Sequence, residues 1–146
     1  MQRDLVIRAR AGDHDAFTEL ARSMVDRLYA VARLILHDAV RAEDATQEAL
    51  FICWRDLSAL RDPDRFEAWL HRLLVRECYR EARKERRRNE VEGRLRPIAV
   101  VDGPGQLNAA RDELRRGFAR LTVELRTALV LHLLDAVGPT SPASSA

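Results

Sequence analysis

Arg72, Arg76, Arg80, Arg83 and Arg87 recur at steps of three and four. At about 100° per residue they fall within an arc of roughly 80° on one helix face. Trp69 and Tyr79 lie at the edge of that arc or inside it. A guanidinium is a planar, permanently charged fork that engages phosphate, and indole and phenol rings offer faces on which unpaired bases stack. Stacking of this kind contributes about 1–3 kcal/mol per base, so the pattern suits a nucleic acid. The same stripe also arises on a solvated helix whose own acids neutralise it, and Glu77, Glu81 and Glu85 are close enough in sequence to pair with arginine. On the residues alone both readings stand.

A second constellation lies upstream. Asp44, Gln47, Glu48 and Phe51 form a small acidic patch around an aromatic that falls about 140° from the centre of its helix's apolar stripe. An exposed aromatic ringed by charge has the form of a protein-binding hot spot. The alternative is that the acids complement a helix dipole in its first turn, while Phe51 packs under the N-terminal helix. Catalytic chemistry finds little support. The chain carries no G-x-x-x-x-G-K-[ST], G-x-S-x-G or H-E-x-x-H. His14, His37, His71 and His132 are widely separated and read as structural or surface residues, and no metal or cofactor is expected.

Composition sets the class. In 146 residues, 47% are hydrophobic and 33% charged, and six Gly with five Pro are too few for a loop-rich chain. Abundant Ala, Leu, Arg and Glu predict an all-α fold. Net charge is only +2, yet it is unevenly spread. Trp69 to Arg96 holds ten basic residues against five acids, and Asp38 to Glu48 holds four acids against one Arg. Met1-Gln2-Arg3-Asp4 opens no apolar leader, and no run approaches the ~20 apolar residues that span a bilayer. Cys53 and Cys78 stand alone in helical patterns, which excludes a disulfide framework. A cytoplasmic protein without membrane partners is the expectation.

The elements that must position these groups follow from periodicity. Gln2 to Arg10 reads as a short helix, and Asp13 as the N-cap of the next. From Asp15 to His37 the stripe Phe17, Leu20, Met24, Leu28, Val31 and Ile35 predicts two helices, broken near Ser23 to Asp26. A turn at His37-Asp38 leads to a helix from Ala42 to Leu60, with Ala42, Thr46, Ala49, Leu50, Cys53, Leu57 and Leu60 inward. Pro63 marks a restart, and a long helix over Asp64 to Arg88 buries Leu70, Leu73, Leu74 and Cys78. Residues 93–107 read as a linker. Residues 108–136 read as a helix or helix pair whose apolar side is Leu114, Phe118, Leu121, Leu125, Leu129 and His132 or Leu133. Residues 137–146 read as a disordered tail. The first body would span residues 1–92, and the last module, with about 30 residues too few for a core of its own, would dock on it, dimerise or remain loosely ordered.

Three segments together carry a family likeness. Ala42-Glu43-Asp44-Ala45-Thr46-Gln47-Glu48-Ala49-Leu50-Phe51-Ile52-Cys53-Trp54-Arg55 resembles the A-E-D-x-x-Q-E-x-[FL]-x-x-x-W signature of bacterial extracytoplasmic-function sigma factors. Arg65-Phe66-Glu67-Ala68-Trp69-Leu70-His71-Arg72 is similar to their F-x-x-W-L-x-[RK] segment, and Ala11 to Leu20 to their first helix. The resemblance implies a compact helical region 2-like domain that binds core RNA polymerase and promoter DNA. Asp44, Gln47, Glu48, Phe51 and Arg55 would meet the clamp helices of the polymerase's largest subunit. Ser58 to Asp64 and the helix after it would hold the −10 element and its melted non-template strand. On that helix Phe66, Trp69, Arg72, Arg76, Tyr79, Arg80, Arg83 and Arg87 would be the contacts. Base extrusion costs a few kcal/mol, which stacking and phosphate contacts would offset. Arg76 stands where many members carry Asn, so promoter preference does not transfer.

Asp112 to Leu134 resembles the start of the family's C-terminal domain, where a helix-turn-helix for the −35 groove is expected to follow. Instead the chain runs Asp135-Ala136-Val137-Gly138-Pro139 into a Ser/Pro tail, short of the ~20 residues such a unit takes. The resemblance thus implies −10 recognition with −35 recognition lost. Two rival readings remain. One is an interaction protein that occupies the polymerase clamp, or an anti-sigma factor, without productive initiation. The other is a helical nucleic-acid binder unrelated to transcription initiation.

Overall fold

A computed structural model describes residues 1–92, 113 and 116–137. The chain divides into two compact units, Met1–Val101 and Asp102–Ala146. Among the described residues every regular element is helical.

In the first unit α1 spans Gln2–Arg10, α2 His14–Leu36, α3 Ala39–Asp56 and α4 Phe66–Glu92, with 3₁₀ turns at Leu57–Ala59 and Pro63–Arg65. Gly12 supplies the positive φ of 98° that turns α1 into α2. Asp13 then caps α2, its Oδ1 accepting from the Ala16 amide at 3.1 Å. That amide, followed by the Arg8 guanidinium, holds the Asp13 carboxyl below the usual carboxylate range.

The expected break near Ser23 to Asp26 is absent. α2 runs unbroken for 23 residues. Ser23 Oγ donates to the Leu20 carbonyl at 2.7 Å, so its hydroxyl is satisfied within the helix. Leu20, Met24, Leu28, Val31 and Ile35 are all buried. The stripe is one helix face.

α2 ends where His37 takes a left-handed conformation, φ 53°. Asp38 restarts the chain, its Oδ1 accepting from the Val40 amide at 3.0 Å and the Arg41 amide at 3.1 Å. This cap starts α3 at Ala39, three residues before the expected Ala42. The helix also stops at Asp56, and Leu57–Ala59 is a 3₁₀ turn rather than more α-helix. Asp62 Oδ1 accepts from the Asp64 amide at 3.0 Å, and Pro63 occupies the first turn of the restart.

The core lies where α3 packs against both α2 and α4, with α1 laid on α2. Ala42, Ala45, Ala49 and Cys53 of α3 are buried, as are Leu70, Leu73, Leu74 and Cys78 of α4. Small residues along α3 allow two larger helices to approach it closely. The Leu57 and Leu60 side chains close the core beside the 3₁₀ turns.

In the second unit residues 116–119 are helical and α5 spans Val123–Val137. Thr122 caps α5, its Oγ1 accepting from the Leu125 amide at 3.4 Å. The expected apolar face of this helix is corrected. Leu125, Leu129 and Leu133 are exposed, whereas Arg126, Thr127 and Val130 are buried. A segment carrying Leu or Val on nearly every side has no unique period, so residue spacing cannot select its inner face. The expected linker at 93–107, the tail from 138 on and Leu114 lie outside the described residues.

Candidate functional site

Two outward faces carry the residues singled out by sequence, one on α3 and one on α4. On α3, Asp44, Gln47, Glu48, Phe51 and Arg55 are all exposed. Phe51 is 56% exposed, so it does not pack under the N-terminal helix. The helix-dipole explanation for the acids also falls away. With α3 beginning at Ala39, its first turn holds no acid and Asp44 lies in the second.

Two members of this face have intramolecular partners. Gln47 Nε2 donates to Glu43 Oε1 at 3.3 Å. Arg55 makes a two-pronged pair with Asp56, Nε to Oδ1 at 2.9 Å and Nη2 to Oδ2 at 3.0 Å. The pair pushes the Arg55 pKa up and holds the Asp56 carboxyl below its usual range.

Trp54 belongs to the α3 sequence signature, yet sequence reasoning gives it no role. It is exposed on α3 one turn beyond Phe51. Its ring lies 4.8 Å from His14, tilted, and 4.8 Å from Phe17, edge to face. Aromatic pairs in these geometries add about 0.5–1.5 kcal/mol beyond area burial. They tie the first turn of α2 to the last turn of α3 and fix the end of the Phe51 face. An aromatic three residues from another exposed aromatic was the available signal.

On α4, Arg72, Arg76, Arg80, Arg83 and Arg87 are exposed, and Trp69 and Tyr79 are partly exposed. One expectation is corrected. Phe66 is 3% exposed and cannot offer its ring outward. It backs Trp69 instead, with ring centroids 6.3 Å apart.

Of Glu77, Glu81 and Glu85, only Glu77 meets the stripe, at Arg80, and the other two turn toward α3. Glu85 Oε2 lies 2.7 Å from Arg41 Nε on α3, and Glu81 Oε2 lies 3.8 Å from Arg41 Nη1. Arg41 Nη1 also donates to the Glu81 carbonyl at 2.9 Å. Glu77 is buried, with Oε1 3.6 Å from Arg80 Nη1. Lys84 pairs with Glu81 at 3.2 Å. Among the described residues Arg76, Arg83 and Arg87 enter no ion pair. Arg41 was missed because a charged residue in an apolar stripe looks like the stripe's edge. Its signal was its place one turn before Ala45, on the side of Ala49 and Cys53.

Between the faces, Leu57 to Arg65 forms a loop of two 3₁₀ turns against α1. Arg3 Nε pairs with Asp64 at 3.2 Å, and Arg10 Nη1 donates to the Arg61 carbonyl at 3.5 Å. His71 is held structurally, Nδ1 to the Glu67 carbonyl at 2.8 Å. Among the described residues no group of three potential metal ligands converges.

Residues 20–88, which hold both faces and the loop between them, match the family model of sigma-70 region 2. Over these residues the chain is similar to sigma-70 region 2. Its similarity extends to the ECF RNA polymerase sigma factor SigM of Mycobacterium tuberculosis, 32% identical over 121 residues, covering 82% of this chain and 60% of that protein. The RNA polymerase sigma-H factor of Pseudomonas aeruginosa is 32% identical over 71 residues, covering 49% of this chain and 37% of that one. The chain thus spans about three fifths of the length of SigM. α1, with its contacts to the loop, lies ahead of the region 2 match.

Proposed function

We propose that this chain is a sigma-70 family member and acts as an RNA polymerase sigma factor of the extracytoplasmic-function type. Its α3 face engages core RNA polymerase and its α4 face engages promoter DNA. Residues 1–92 serve as the region 2 body, and 108–136 belong to a second module. Work on these two partners is carried out in the cytoplasm.

The observation that carries this reading is that Arg76, Arg83 and Arg87 are exposed and enter no ion pair among the described residues, while Glu81 and Glu85 turn inward. A solvated helix pairs its charges along its own surface. Here Glu81 and Glu85 meet Arg41 of α3, while Arg76, Arg83 and Arg87 project beside Trp69 and Tyr79. Such a face offers phosphate contacts and stacking surfaces in one strip, the combination a single strand needs. On α3 the exposed Phe51, flanked by Gln47 and Glu48, supplies an anchor with a polar rim for a helical partner. Asp44 adds negative charge to that rim, and Arg55 remains tied to Asp56 until a partner carboxylate competes for it.

Binding of the full chain to core RNA polymerase, followed by fluorescence anisotropy, tests the proposal. Wild-type protein is expected to bind, with Phe51→Ala weaker by about tenfold or more, as hot-spot truncation implies. Glu48→Arg is expected to weaken binding as well. Absence of binding at micromolar protein, or equal binding by all three proteins, overturns the polymerase-face assignment.

A further inference from the structure

Glu77 is an acid set among apolar neighbours. It stands four residues after Leu73, three after Leu74 and next to Cys78, and all three are buried. Its side chain is 3% exposed, and its Oε1 accepts no hydrogen bond among the described residues. The cation beside it is Arg80, whose Nη1 lies 3.6 Å from that oxygen. Arg80 belongs to the outward stripe, and its side chain is 57% exposed. By exposure alone it resembles Arg76, Arg83 and Arg87, yet those three enter no ion pair among the described residues.

We propose that Glu77 sets how a single strand engages α4, by keeping Arg80 as its counter-ion so that phosphates are met by Arg76, Arg83 and Arg87 and not by Arg80. This inference rests on the assignment of α4 as the nucleic-acid face. A carboxylate taken out of water needs a compensating charge, and losing one partner of such a pair is the costly direction. Drawing Arg80 away to a phosphate would strand Glu77 in the core. The compensated pair presents no net charge to a polyanion, whereas the salt dependence of binding counts the cations that neutralise phosphate. The stripe therefore carries a charge gap about two helical turns long, between Arg76 and Arg83. Tyr79 follows Arg76 by three residues and precedes Arg83 by four, so a partly exposed ring lies along that gap. Phosphate contacts then flank a stacking surface instead of covering it.

The test is titration of the full chain with fluorescein-labelled oligo(dT) of roughly a dozen nucleotides. It is run across a salt series, alone and with core RNA polymerase. Glu77→Gln keeps the side-chain shape and frees Arg80. It is expected to steepen the slope of log K against log salt by about 0.7, or about fivefold tighter binding at 0.1 M salt. A purely structural role for Glu77 predicts no such gain. Glu77→Gln/Arg80→Gln removes both charges and is expected to keep the wild-type slope and affinity. Urea unfolding supplies an arm that needs no nucleic acid. Arg80→Gln alone should lower the folding equilibrium constant by about tenfold or more, and the double variant should recover it. Circular dichroism accompanies each protein. Should Glu77→Gln fail to fold, Glu77→Met, which places an apolar chain of similar length in the same site, carries the same expectation.

The proposal is overturned if the folded Glu77 variant keeps the wild-type slope, or if the double variant binds with a shallower slope than wild type. The second outcome would make Arg80 a phosphate contact in its own right. Equal stability of Arg80→Gln and wild type also overturns it, because Glu77 then needs no counter-ion. A wild-type chain that binds no oligonucleotide in either arm removes the nucleic-acid assignment of α4, and the charge gap with it. The urea arm tells that failure apart from failure of the Glu77–Arg80 pair.

Discussion

Cys53 and Cys78 sit fully buried on the two helices that make the core, and both are free thiols. Burial pushes each thiol up to about 12 from an ordinary 9.0, with Glu77 and Glu81 adding to the effect at Cys78. The sign of the consequence follows from proton counts. Below pH 9.0 both folded and unfolded chains hold the thiol protons, and the stability they contribute is fully present. As pH rises from 9.0 toward about 12, the unfolded chain releases protons that the folded one retains, so stability falls. The slope is about 1.4 kcal/mol per pH unit for each cysteine. Urea unfolding at pH 8 and pH 10 should show wild type losing about 2–3 kcal/mol more than a Cys53→Ala/Cys78→Ala variant over that interval. Equal losses in the two proteins would mean the thiols titrate alike in both states. The same burial predicts that neither cysteine reacts with a thiol reagent at pH 8 until the chain unfolds, since the thiolate is the reactive form.

At the scale of the element, α3 depends on its cap more than its sequence suggests. Asp38 satisfies two backbone amides and also stands 3.5 Å from Arg41. Asp38→Ala should therefore cost about 1–2 kcal/mol, the upper part of the range for an N-cap, measured as a shift of the urea midpoint at constant slope. Asp38→Asn, which keeps the cap oxygen, should recover most of it; equal losses would place the effect in the charge rather than the cap. This element also shows what periodicity can and cannot reveal. The inner face of α3 and the buried Leu70, Leu73, Leu74 and Cys78 of α4 were legible, because a single-sided apolar stripe has one solution on a helix. The unbroken course of α2 was not, since Ser23 looks like a helix breaker until its hydroxyl is seen bonded to Leu20. Phe66 looks like a nucleic-acid contact because it belongs to the same motif as Trp69, yet motif membership does not state which member faces inward. The Arg41 contacts with Glu81 and Glu85 join residues forty or more positions apart, a distance at which spacing carries no information.

For the region 2 body as a whole, the decisive feature is that α3 works on two sides. Its inner side packs on α2 and α4, and its outer side carries Phe51 among exposed polar groups. The α4 stripe faces outward from a different helix, so the two proposed faces share a core but no surface residue. They should therefore be separable by substitution. Phe51→Ala is expected to leave oligo(dT) affinity of the free chain within about twofold of wild type, because removing an exposed ring leaves no cavity and no unpaired group. Arg76→Gln/Arg83→Gln/Arg87→Gln should do the opposite. Each of those arginines is exposed and free of ion pairs among the described residues, so their loss leaves no buried charge behind. Polymerase binding should persist, while the salt slope for the single strand becomes shallower by about 2, at about 0.7 for each phosphate no longer engaged. If Phe51→Ala lowers oligonucleotide affinity as much as the triple arginine variant does, the faces are not independent and the strand must reach across α3. If the arginine variant binds the strand with an unchanged slope, the charges lie outside the bound path, and stacking on Trp69 and Tyr79 is left to account for the affinity.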